Sequence, residues 1–265
     1  MNRAFGVDAV QEIGLVRFAD PAGVREAATN LVNLVQARLG DWRIAPCANL
    51  AAKQPMVDRD GSTLATSVFG WTESEEDRWW RSSRLAIDSP MAQACRYESE
   101  PFWCNALGFR TALHNPMLDT VDVSDFDRRA LTTAAIVVPV HMPLGVIGAA
   151  SLVPRDRRMI DLSAPFAEHG DWLAGMIRTF ISSYARVMGN VMRSHSEAMA
   201  LSKREVECLR WAAVGKTNAE IGIIMSRSLA TIRFHIHNAT TKLNAVNRSQ
   251  AVYKATQLGY ISLNS

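Results

Sequence analysis

The sequence predicts an α+β chain in two parts: a mixed N-terminal domain with helices on the faces of a mainly antiparallel sheet, then a small all-α domain. Three observations predict it. Two apolar runs rich in Val and Ile, 134–140 (AAIVVPV) and 145–153 (GVIGAASLV), lie close together, as buried strands joined by a short turn do. Long helical periodicities flank them at 22–39 and 162–193. After residue 200 the pattern changes to short helices punctuated by Ser or Thr caps and Gly stops.

In chain order, Val24, Ala27, Ala28, Leu31, Leu34, Val35 and Leu39 share one face, so 22–39 is an amphipathic helix. Residues 42–50 and 63–69 look like short strands, with Pro46, Pro55 and Asp60-Gly61 marking loops or turns between them. Residues 72–85 are polar with embedded Trp and read as a helix opened by a Thr72/Glu75 capping box; 86–98 reads as a further helix. The strand pair 134–140 and 145–153 turns at His141–Leu144. The helix 162–193 carries Gly170 and Gly175 as candidate breaks, and 194–200 is the expected linker. The expected division is 1–193, 194–200 and 201–265.

In the last part, Ser202 with Glu205 forms a capping box, and Val206, Leu209 and Ala213 follow at helical spacing before Gly215. Thr217 with Glu220 opens a second helix carrying Ile221, Ile224 and Met225. Ser228 and Thr231 start a third, with Ile232, Ile236, Ala239 and Leu243 inward. Asn247 caps a fourth, with Ala251, Val252, Ala255 and Leu258 inward and Gly259 after it. The second and third helices make a helix-turn-helix, which presents its second helix to the DNA major groove. The outward face of that helix carries Arg233, His237 and Thr240, with Phe234 and His235 near its edge. Arg233 suits a bidentate contact to guanine, Phe234 a thymine methyl, and His237 a base or phosphate. Lys216, Arg227, Thr231, Lys242 and Arg248 are expected at phosphates, with Ser228 beside them at the helix start.

Charge agrees. Residues 201–265 hold nine Lys or Arg and three Glu, a net +6 that leaves −3 for the rest of a +3 chain. The basic surplus lies where phosphate would be met. Composition is otherwise that of an ordinary globular protein, 48% hydrophobic and 21% charged over 265 residues. No apolar run reaches the roughly 18 residues of a membrane helix. The first 20 residues lack a basic start and an apolar core, so neither signal peptide nor membrane is expected, and the expected site is the cytoplasm. Cys47, Cys95, Cys104 and Cys208 have no C-x-x-C spacing; they read as buried thiols, with Cys95 and Cys104 also considered as a redox pair. No zinc spacing, nucleophile motif or phosphate-binding glycine loop is present, so neither an enzyme nor a cofactor is expected.

The last domain resembles the DNA-binding domain of the LuxR family of bacterial transcription regulators. The resemblance rests on Leu201, Arg204, Glu205, Leu209, Ala213, Gly215, Glu220, Ile221, Ser228, Thr231, Ile232, His235, Lys242, Leu243, Arg248, Ala251 and Gly259. It departs at 222–225, where the family usually has an alanine and a leucine, and in carrying fewer basic residues on the third helix, with His237 at a position often Lys or Asn.

The first domain resembles the same family's autoinducer-binding domain more weakly. Asp88 and Pro90 resemble its Asp-Pro pair with Ser89 inserted; Trp103 lies fifteen residues after Asp88, the spacing to a pocket Trp; Ser151 falls near a serine that often contacts ligand. The resemblance implies an α/β/α sandwich enclosing an acylated homoserine lactone or related small molecule. Its ligand contacts would be Trp71, Trp79, Asp88, Phe102, Trp103 and Ser151, with Asp88 accepting from an amide-like N–H. Counted without gaps, Glu75 replaces the tryptophan that donates to the lactone. Two readings stay open: a gap that puts Glu75 on the surface, or an altered pocket. A double-stranded operator, a homodimer over paired half-sites and RNA polymerase are the expected partners. A regulator without ligand, acting through mixed dimers, is the alternative.

Overall fold

A computed structural model describes residues 10–52, 54–74, 85–189 and 200–262. Two compact units divide the chain, the first ending at Gly189 and the second holding the helices from Lys203 onward. In the first, α1 is Val24–Leu39 and β1 is Trp42–Cys47. The short helices α2 (Leu64–Ser67), α3 (Leu85–Asp88) and α4 (Pro90–Ala94) follow. Then come β2 (Phe102–Asn105), β3 (Gly108–Thr111), α5 (Phe126–Ala130), β4 (Ala134–Met142), β5 (Val146–Pro154) and the long α6 (Ser163–Met188).

The five strands form one antiparallel sheet in the order β1-β5-β4-β2-β3. β4 is buried on both faces until its last two residues, which is why it reads as an unbroken apolar run rather than an alternation. One face carries Ile44, Ile136, Val138, Ala150 and Leu152, packed with Leu31 of α1 and Leu173, Ile177 and Phe180 of α6. The other carries Cys47, Phe102, Cys104, Ala135, Val137 and Ala149, packed with Met91, Ala92 and Ala94 of α4 and Phe126 and Ala130 of α5. Helices therefore cover both faces, the three-layer arrangement expected.

Several elements differ from expectation. Residues 63–69 hold the one-turn α2, not a strand. The helix expected at 86–98 is two short ones, because Ser89 adopts an extended conformation (φ −63, ψ 122) before Pro90. The Thr72/Glu75 box falls partly outside the described residues, as do Trp79 and Trp80. β2 and β3 carried no sequence signal. The β4–β5 turn is Pro143–Gly145, two residues later than expected. Helix α6 passes through Gly170 and Gly175 without a break. At Gly175 a Cβ would come within 2.9 Å of the Ile13 side chain, so the glycine serves close packing rather than a bend.

In the second unit, α7 is Lys203–Ala213, α8 Asn218–Met225, α9 Leu229–Lys242 and α10 Arg248–Gln257. Both capping boxes form: Ser202 Oγ accepts from the Glu205 amide while Glu205 accepts from the Ser202 amide, and Thr217 and Glu220 repeat the pattern. Ser228 and Asn247 cap α9 and α10, accepting from the amides of Thr231 and Gln250. Each cap contributes about 1 kcal/mol. Gly215 ends α7's turn at φ 89, a conformation that favours glycine. The core joins Cys208 and Leu209 of α7, Ile221 of α8, Ile232, Ile236 and Ala239 of α9, and Ala251 and Ala255 of α10.

Candidate DNA-binding helix and ligand cavity

Helix α9 buries Ile232, Ile236 and Ala239, and this orients everything else on it. The opposite side exposes Ala230, Arg233, Phe234, His237 and Thr241, which recur at helical spacing along one stripe. Arg233 makes no hydrogen bond or ion pair with a described residue, so its five donors face solvent. Phe234 is 61% exposed and meets the half-buried His235 edge-on at 5.8 Å. Thr240, expected on this face, is half-buried and donates to the Ile236 carbonyl; Thr241 takes its place outside. The signal for Thr241 was available: it stands four residues after His237.

At the start of α9, the Ser228 and Thr231 hydroxyls lie 2.8 Å apart. Arg227 is exposed, and its one side-chain bond among the described residues is a 3.3 Å contact to the Ser226 carbonyl. Lys216 is 3.7 Å from Glu220, a separation that leaves its ammonium mostly to solvent. Two of the expected phosphate contacts are turned to other work. Lys242 Nζ lies 2.9 Å from Glu205 Oε2, and Glu205 is buried. Arg248 donates to Asn218 Oδ1 at 3.1 Å and to the Lys216 carbonyl. Burial pushes the Glu205 carboxyl up, but the Ser202 amide and the Lys242 ammonium more than offset it, holding it below the ordinary glutamate value. These two cations tie α9 and α10 to the caps of α7 and α8.

In the first unit a cavity of about 140 Å³ lies on the sheet face covered by α4 and α5. Its floor is Cys47 of β1, Val137 of β4 and Ala149, Ser151 and Val153 of β5; its walls include Leu50, Trp71, Met91, Cys95 and Leu131. The Ser151 hydroxyl makes no hydrogen bond with a described residue. The other lining hydroxyl, Thr132, already donates to the Ala134 carbonyl at 3.0 Å. Trp71 donates its indole N–H to the Ile44 carbonyl at 2.7 Å, and the Arg43 guanidinium lies 4.9 Å from its ring. No charged side chain lines the cavity among the described residues. Burial pushes the Cys47 thiol up to about 11 and the Cys95 thiol up to about 12, so both stay neutral.

The family of bacterial regulatory proteins, luxR family, matches residues 199–255. The chain is 36% identical to the transcriptional activator protein VanR of Vibrio anguillarum over 49% of this chain and 52% of that protein. It is 28% identical to AhyR of Aeromonas hydrophila, another transcriptional activator protein, over 71% of this chain and 72% of that one. It is 33% identical to VjbR of Brucella melitensis, a quorum sensing-dependent transcriptional regulator, over 52% of each. The chain thus spans about half the length of VanR and VjbR. Residues 199–255 are a LuxR-family domain. A solved structure of SdiA in complex with octanoyl-rac-glycerol has the same fold, with a TM-score of 0.50 at 19% identity over 97% of this chain and 96% of that one.

Of the LuxR-like ligand positions, Trp71 and Ser151 reach the cavity. Phe102 lies on the same sheet face but is fully buried against Phe109, at 5.7 Å, and does not line the space. Trp103 points to the opposite face: it pairs with Ile136 in the register and packs on the α1–α6 side. Its assignment to the pocket is corrected by strand parity, since neighbouring residues of a strand face opposite ways. The inserted Ser89 accounts for the slip. Counted from Pro90 rather than Asp88, the pocket position falls on Cys104, which shares the cavity-side face with Phe102. Asp88 is half-buried on α3 and does not line the cavity. Its carbonyl accepts from Arg129 Nε at 2.9 Å, and Ser89 Oγ beside it is buried without a hydrogen-bond partner among the described residues. Trp79 and Glu75 lie outside the described residues. No helix among the described residues is long and apolar enough to cross a membrane.

Proposed function

We propose that the protein is a ligand-responsive, DNA-binding transcription regulator. The observation that carries the reading is the exposed stripe of α9, on which an arginine with no partner among the described residues and an uncovered phenylalanine stand side by side. Arg233 and Phe234 read base edges; His237 and Thr241 extend the contact along the groove. Ser228, Thr231, Lys216 and Arg227 meet the flanking phosphates. Lys242 and Arg248 act from inside, by setting the angle at which α9 is held. The protein works as a homodimer in the cytoplasm, because one recognition helix reads only a short half-site, and RNA polymerase is the partner an activator engages.

The cavity supports control by a small molecule over the ligand-independent or mixed-dimer alternative. A ligand that binds it orders the sheet and the α4–α5 layer, and shifts the population competent for DNA. Thermal unfolding of the full chain with a panel of acyl-homoserine lactones and small neutral compounds tests this, read beside affinity for a selected DNA. A ligand at about 100 times its Kd contributes roughly 2.7 kcal/mol, a rise of several degrees. The same ligand is expected to change DNA affinity. A ligand that stabilises the fold and leaves DNA affinity unchanged contradicts the coupling.

A further inference from the structure

The cavity's lining specifies a ligand more closely than the family resemblance does, and the ligand class it implies rests on the ligand-responsive function proposed for the protein. An acylated homoserine lactone presents an amide N–H and two carbonyls, which need an acceptor and donors. Among the described wall side chains only one free hydroxyl is left to meet that set. Trp71's N–H is spent on Ile44, Trp103 faces the other side of the sheet, and Asp88 is not in the lining. What the walls do offer is one uncommitted hydroxyl, Ser151, in an apolar surround. Three sulfurs, of Cys47, Met91 and Cys95, stand in that surround with Trp71.

We propose that the cavity takes a small, neutral, single-ring aromatic molecule carrying one hydroxyl, which pairs with Ser151. The volume sets the size: about 140 Å³ matches the cavity of about 150 Å³ that holds benzene in an engineered apolar core. Neutrality follows from the absence of a charged side chain among the described lining residues, because an ion moved there would lose its hydration without a counter-charge. The sulfur-rich wall selects an aromatic ring, whose edge makes favourable contacts with polarisable sulfur that a saturated ring does not. The hydroxyl follows from Ser151, the one lining side chain with both donor and acceptor capacity unused among the described residues.

The test measures dissociation constants by ligand-observed NMR on the full chain, with 4-ethylphenol, 4-ethylbenzoate, 4-ethylcyclohexanol, ethylbenzene and N-octanoyl homoserine lactone as probes. 4-Ethylphenol is expected to bind, and 4-ethylbenzoate at least a hundredfold more weakly. Ser151→Ala removes a hydroxyl with no partner among the described residues, so the fold is retained. It is expected to weaken 4-ethylphenol up to about tenfold and leave ethylbenzene unchanged. Equal binding of phenol and benzoate, equal binding of the cyclohexanol, a Ser151→Ala loss shared by ethylbenzene, or no phenol binding overturns the proposal. Lactone binding without phenol binding overturns it while leaving the ligand-responsive reading intact. Phenol binding with no change in DNA affinity has the reverse meaning: the ligand class holds and the regulatory coupling fails.

Discussion

Arg233 has no partner among the described residues, whereas Lys242 has Glu205, and under the proposed function this difference separates reading from holding. Arg233→Ala is expected to leave the melting temperature unchanged and to cost roughly 1–3 kcal/mol of base discrimination. Competition binding against single-base variants of a selected site checks it; an unaltered preference removes Arg233 from the base edges. Lys242→Met is expected to act on stability, costing about 1–3 kcal/mol by leaving a buried carboxylate short of a donor. Chemical denaturation of the full chain, followed on the second unit, measures this. Glu205 also fixes a pH dependence. Its carboxyl titrates lower folded than unfolded, so its stabilisation is complete above the ordinary glutamate value of 4.5 and lost as pH falls through the lower folded value. Glu205→Gln is expected to flatten that acid limb; a limb unchanged between roughly pH 5 and 3 contradicts it. The sequence made α9's inward and outward faces legible because caps and apolar spacing are local. It did not reveal that Lys242 and Arg248 turn inward, since their partners lie 37 and 30 residues away in the chain.

At the scale of elements, the four caps after residue 200 fix four helices with little help from distant contacts, and all four were legible. The sheet was legible only at β4 and β5, whose apolar runs are long. β1 was partly so. β2 and β3 are four residues each and carry their pairing in partners that sequence spacing does not name. Position on β2 then turned on a single residue. The inserted Ser89 moves the count by one, and a one-residue change carries a strand side chain to the other face. Trp103→Phe is therefore expected to leave ligand response intact. Phe102→Ala is expected to cost about 3–5 kcal/mol, because the ring is fully buried and leaves a void. Paired thermal unfolding and ligand titration of the two variants distinguish these outcomes; loss of ligand binding in a stable Trp103→Phe protein would return that residue to the pocket.

At the scale of the whole molecule, charge and cavity are kept apart. The stretch after residue 200 carries +6 and presents exposed cations on and beside α9, while the earlier stretch carries −3 and holds a cavity with no charged side chain among its described lining residues. Under the proposed function, the basic part would supply affinity that falls with salt, and the apolar part a signal that salt leaves alone. Lys216→Ala is expected to weaken binding to all sequences alike and to lower the salt slope by about one unit, as loss of a single phosphate contact does. The measurement that bears most directly on the account is selection of bound sequences from a random double-stranded DNA pool by the full chain and by Arg233→Ala. Two related half-sites about one helical turn apart are expected, with the Arg233→Ala protein losing preference at one guanine of each. No enriched sequence, or an enriched sequence identical for both proteins, would contradict it.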